Sequence, residues 1–247
     1  MDKIGLAART MFAELLSRCL DAEFDEAFDE RGAFLRKRIK GRAYWYHQRK
    51  IENKVVSRYV GPDADRAIGE RVERFADIKS DFTERREMVR ALVAAGLPAT
   101  DALTGKVIEA MWKAGFFRLR GVLVDTVAYQ AYAGLLGAKL SGAALQTQDV
   151  DFAQFWGVSK NVGESMPPIL DLLRAVDPTF REIPHLADPL VATGYRNAAR
   201  YRVEFLTPNR GGARHQGRPA RMPALGGAGA QPLRHLDFLM HEPERSA

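Results

Sequence analysis

Two short apolar segments, Gln148-Asp-Val-Asp-Phe-Ala153 and Tyr201-Arg-Val-Glu-Phe-Leu206, carry acids at alternate positions and constrain this chain more than any other feature. In an extended strand alternate side chains share a face, so Asp149 and Asp151 point the same way with Cα atoms roughly 6 to 7 Å apart. Val150 then points into a core. Two acids on one sheet face repel each other unless cations neutralise them, and hard divalent ions such as Mg²⁺ take oxygen ligands of this kind. Glu204 on a neighbouring strand would supply a third carboxylate. The layout is the one expected of a two-metal phosphoryl-transfer site.

The chain has 247 residues, 46% of them hydrophobic, which is enough for a full core and suggests two compact units. Lys and Arg number 37 against 31 Asp and Glu, a formal charge of +6 that weakly favours polyanionic partners. Cys19 is the sole cysteine, so no intrachain disulfide can form. No signal peptide or long apolar run is seen, which predicts a cytoplasmic protein without a membrane partner. The five histidines show no metal-ligand spacing, which argues against zinc.

From the N-terminus, Leu6, Phe12, Leu15, Leu16, Cys19, Leu20, Phe24 and Phe28 recur at helical spacing, and Gly32 is expected to end that helix or lie just beyond it. Arg42–Gln48 and Lys54–Val60, rich in aromatic and β-branched residues, predict a β-hairpin closed by Gly61-Pro62. Asp63 is placed to cap a long charged helix that runs to about Ala95, where Gly96-Leu-Pro98 is a stop signal. A further helix is predicted over Leu103–Ala114.

The pattern then changes to alternating strand and helix. A buried strand is predicted at Phe117–Val124, a helix at Thr126–Leu135, the Asp-x-Asp strand, and a helix from Pro167-Pro168 to Val176. Strands follow at Phe180–Ile183, Leu190–Tyr195 and Tyr201–Leu206, and then a basic, mobile loop over Asn209–Arg221. The composition suggests a helical region with a hairpin over residues 1–100 and a second domain over 101–247.

Strand, turn, helix, a strand bearing Asp-x-Asp and a later strand with one more acid resemble the DNA polymerase β-type nucleotidyltransferase superfamily. More narrowly, the chain resembles a bacterial family of uncharacterised proteins with a nucleotidyltransferase fold. The matching stretches include Gly41-Arg-Ala-Tyr-Trp-Tyr46, Arg58-Tyr-Val-Gly-Pro-Asp63, Phe117-Arg-Leu-Arg-Gly-Val-Leu-Val124, Thr147-Gln-Asp-Val-Asp-Phe-Ala153, Val176-Asp-Pro-Thr-Phe180, Val203-Glu-Phe-Leu-Thr-Pro-Asn-Arg-Gly211 and Gln231-Pro-Leu-Arg-His-Leu-Asp-Phe238. The resemblance implies an α+β fold: a polymerase β-like core of mixed sheet and flanking helices, plus N-terminal helices and the hairpin. It implies that Asp149 and Asp151 bind two Mg²⁺ (or Mn²⁺) ions, and that Glu204 binds one and handles the proton of the attacking hydroxyl. A nucleoside monophosphate would pass from an NTP to an acceptor hydroxyl on RNA, protein or a small molecule.

The superfamily places glycine, then Gly, Ser or Thr, at the turn after the first strand, where phosphates approach the backbone. Here Asp125 replaces the glycine, and Thr126 remains as a phosphate donor. Relatives of this kind continue past Leu236–Met240, so the resemblance implies a shortened C-terminus. The alternative expectation is a catalytically weakened module that binds nucleic acid or a protein partner. In the hairpin, Tyr44, Trp45, Tyr46 and Tyr59 could stack on bases while Arg42, Arg49, Lys50, Lys54 and Arg58 meet phosphates.

Overall fold

A computed structural model describes residues 2–22, 32–39, 41–51, 54–141, 147–161, 163–209, 211 and 217–241. The chain forms two compact units, one spanning Ile4–Gly96 and the other joining Asp2–Lys3 to the chain from Leu97 onward. Strand β1 (Asp2–Lys3) belongs to the second unit.

The first unit contains helix α1 (Leu6–Ala22), strands β2 (Ala33–Ile39), β3 (Arg42–Ile51) and β4 (Lys54–Pro62), and helix α2 (Arg66–Ala94). The part of the first predicted helix beyond Ala22, with Phe24 and Phe28, lies outside the described residues. The predicted hairpin is two strands of a three-stranded antiparallel sheet ordered β2-β3-β4. Strand β2 was not anticipated, because Ala-Phe-Leu-Arg-Lys-Arg-Ile has no clean apolar alternation. Gly32 acts as a packing residue, since a Cβ there would lie 2.1 Å from His47 Nε2. The Asp63 carboxylate pairs with Arg36 on β2, and Asp65 occupies the position immediately before α2.

The second unit runs α3 (Ala102–Lys113), β5 (Val122–Val124), α4 (Asp125–Leu136), β6 (Ala138–Lys139), β7 (Asp149–Ala153), α5 (Trp156–Asn161), α6 (Ile169–Val176), β8 (Arg181–His185), β9 (Asp188–Arg196), β10 (Arg202–Pro208), β11 (Ala220–Arg221), a 3₁₀ turn (Pro223–Leu225), β12 (Gly229–Leu233) and α7 (Leu236–Met240). Asp101 starts α3, where its carboxylate accepts from Leu103 N at 2.9 Å and Thr104 N at 3.0 Å. Thr104 Oγ1 in turn lies 2.6 Å from the Tyr201 hydroxyl, so the cap is tied to the residue just before β10.

A seven-stranded mixed sheet forms the centre, ordered β11-β12-β10-β7-β5, with the β8–β9 hairpin paired to β10. The chain is therefore a mixed α+β protein. Strands β7 and β10 are parallel, as are β10 and β12, whereas β5 lies antiparallel to β7. On one sheet face Val150, Phe152, Val203 and Phe205 join Val107 and Met111 of α3 and Ile169 and Leu173 of α6 in the main core. The Phe152 and Phe205 rings stack at 5.6 Å, and Phe116 meets Phe152 edge-on at 5.1 Å.

The predicted strand Phe117–Val124 is strand only over its last three residues. Residues 114–120 form turns instead, with Gly115 and Arg120 at φ +89° and +62°. The coil inserts Phe116 and Leu119 into the core, and Gln154 Nε2 donates to the Leu119 carbonyl at 2.7 Å. Burial of two large side chains by a compact coil outweighs the strand preference of the run. Residues 210 and 212–216 of the predicted basic loop lie outside the described residues, and Ala220–Arg221 forms β11.

Candidate active site

Alternation along β7 and β10 separates the two faces of the sheet. Val150, Phe152, Val203 and Phe205 are buried on the core side, whereas Asp149, Asp151, Arg202 and Glu204 remain half-buried or exposed on the other. The parallel register sets Asp151 opposite Glu204 and Asp149 opposite Arg202. Adjacent strands lie about 4.8 Å apart, so the Asp151 and Glu204 carboxylates emerge as direct neighbours. On the far side of β10, Gly194 of β9 stands opposite Glu204 and adds no side chain beside it.

Strand β5 brings a fourth acid. Val124 pairs with Asp151, and the next residue, Asp125, reverses the chain into α4 with φ +61°. That left-handed conformation is the one glycine adopts without cost, and here an aspartate occupies it. Asp125 directs its carboxyl at Asp151. Thr126 follows in the first turn of α4, half-buried.

The Asp151 carboxyl is pushed up to about 7, first by burial and then by the negative charges of Glu204, Asp125 and Asp149. Such a cluster has more negative charge than its own residues neutralise. Arg202 forms an ion pair with Glu204 two residues along the strand. Asp149 is held locally: the Thr147 hydroxyl donates to its carboxylate, and its own N–H donates to Thr147 Oγ1 at 3.3 Å.

Three predicted site residues, Asp149, Asp151 and Glu204, thus share one face, and Asp125 joins them. Among the described residues, no group of three or more His, Cys, Asp or Glu side chains is closed around a metal position. Arg202 and Thr147 contact two of the three carboxylates, those of Glu204 and Asp149. The donor set fits hard divalent cations: four carboxylates, oxygen only, with one raised by burial and then by its neighbours' charge. Sequence reasoning missed Arg202, and the available signal was the same period-2 rule that placed Glu204.

The acid face becomes apolar farther along the strands. Ala153 and Leu206 continue it and form a second cluster with Val124, Leu236 and Met240, so α7 covers this end of the face. The acids are left at the opposite, amino-terminal end of β7 and β10.

A family model described as nucleotidyltransferase matches residues 102–247, and a model for a domain of unknown function matches residues 12–70. No curated protein and no solved structure matches the chain. Among the described residues, no helix is long and apolar enough to cross a membrane.

Proposed function

Starting from the chain's membership of the nucleotidyltransferase family, we propose that it transfers a nucleoside monophosphate from an NTP to an acceptor hydroxyl at the face formed by β5, β7 and β10. The observation that carries this reading is the cross-strand set Asp125, Asp151 and Glu204 with Asp149 beside it, where burial and then the neighbouring negative charges raise the Asp151 carboxyl to about 7. The order β5–α4–β7 followed by β10 supports a polymerase β-like core.

In this reading Asp149, Asp151 and Glu204 would hold two Mg²⁺ ions, which would neutralise the triphosphate and acidify the acceptor hydroxyl. The acceptor oxygen forms a bond to the α-phosphorus as the bond to the bridging oxygen breaks, and pyrophosphate leaves. Glu204 orients the acceptor hydroxyl and takes its proton. Thr126 donates its hydroxyl to a phosphate oxygen, and Arg202 offers a guanidinium on the same face. The rigid pairing of β7 with β10 fixes the carboxylates before substrate arrives, which lowers the reorganisation cost of the transfer.

A second reading rests on Asp125 beside Asp151 and on Arg202 pairing with Glu204: an NTP-binding module of weakened turnover. Transfer from each of four α-labelled NTPs to total RNA and total protein, with Mg²⁺, separates the two. Label that disappears in Asp149→Asn and Asp151→Asn proteins that still unfold in one cooperative thermal transition supports the enzyme. Undiminished labelling by these variants would overturn it, and NTP binding without labelling supports the second reading.

A further inference from the structure

We propose that the open face of the β2-β3-β4 sheet is a binding platform for single-stranded nucleic acid, independent of the transfer site. The sheet has two unlike faces. On one, Phe34 of β2 and His47 of β3 pack against Phe75 of α2, with ring centroids 4.8 and 5.8 Å away. Alternation turns Trp45 to that side with His47, and its indole Nε1 is buried.

The other face carries Tyr44 and Tyr46 of β3 and Tyr59 of β4. Tyr59 lies 6.0 Å from Tyr44 and 5.5 Å from Tyr46, so the three rings form one continuous surface. Tyr59 remains 52% exposed, and Leu35, Ile39 and Val55 beside it are 42, 44 and 65% exposed. An aromatic surface left open on an antiparallel sheet is the geometry on which unstacked bases are received, because every base has a π-face to offer.

Charge identifies the occupant. Residues 33–62 contain nine Lys or Arg and one acid, Glu52, whereas the whole chain carries only +6. The rest of the chain is net acidic, and within this stretch the register sets Lys37, Arg42 and Lys50 on the same face as the three tyrosines. Lys37 reaches over the Tyr46 ring at 4.8 Å and meets Ser57 Oγ at 3.2 Å, which holds an ammonium at the edge of the aromatic surface. A partner with planar rings spaced along an anionic backbone matches this combination; an acidic protein surface would satisfy the cations but leave the rings without stacking partners.

Fluorescence anisotropy of the 247-residue chain with labelled U12 and dT12, without Mg²⁺ or NTP, tests the proposal. Both single strands are expected to bind, more weakly at 200 mM than at 50 mM salt. Tyr46→Ala and Tyr59→Ala are each expected to weaken binding about tenfold, and Tyr59→Phe to preserve it because the ring remains. Lys37→Ala should reduce the salt dependence, by about one in the log–log slope. Asp149→Asn should bind like the parent, which separates this surface from the transfer site. The proposal is overturned if neither strand binds, if a 12-base-pair duplex binds as tightly as the single strands, or if folded Tyr→Ala variants bind unchanged.

Discussion

Asp151 carries the largest electrostatic cost at the site. Its carboxyl is raised from 3.8 to about 7 in the folded chain, so the native state holds a proton that the unfolded state has lost. Stability of the metal-free protein is therefore greatest, for this group, below its ordinary value and is lost as pH rises towards 7. Asp151→Asn should remove that loss, so the melting temperatures of variant and parent in EDTA should diverge between pH 4 and 7, with the variant higher at pH 8. Parallel curves across this range would contradict the burial and charge that raise this carboxyl. Asp125 carries a second cost, a left-handed backbone on a residue with a Cβ. Asp125→Gly is expected to raise stability by about 1 kcal/mol in denaturant unfolding and to tighten NTP binding, since strain and a like charge are both removed. Asp125 was legible as a departure in sequence, but its contact with Asp151 depends on the β5–β7 register, which no local pattern specifies.

At the scale of elements, β7 and β10 were readable because each is buried on one face only, so polar and apolar residues alternate with period two. The same feature makes the site depend on the core behind it. Phe152 is fully buried between Phe116 and Phe205, and its backbone lies between Asp151 and Ala153. Phe152→Ala is expected to cost about 3 to 5 kcal/mol and to lower the urea midpoint accordingly. A loss below about 1 kcal/mol would mean that the aromatic cluster is not packed as described. Strand β2 was not legible, because Arg36, Lys37 and Arg38 obscure the packing of Phe34 on Phe75 and His47. The coil at residues 114–120 was equally hidden: Phe116 and Leu119 look like strand residues, and only the cavity they fill identifies them as plugs.

Across the whole molecule, the two units have separate cores, Phe75 in the first and the Phe116, Phe152 and Phe205 cluster in the second. Trp45 is the tryptophan of the first unit, so a Trp112→Phe/Trp156→Phe protein reports on that unit alone. In that background Phe75→Ala should lower the Trp45 fluorescence transition, by about 3 kcal/mol, and leave Mg²⁺-dependent NTP binding unchanged; an unshifted transition would mean that Phe75 does not hold the sheet. Local periodicity and runs of matching residues are enough to specify which residues share a strand face, where α3 and α6 run and which family the chain joins. Contacts between distant segments are what set Asp125 against Asp151, Arg202 against Glu204, and Tyr44, Tyr46 and Tyr59 on the face that Trp45 turns away from. Register, chain reversal and the choice of covered face arise from contacts between residues distant in sequence, and their energies are set by burial and charge that no single segment contains.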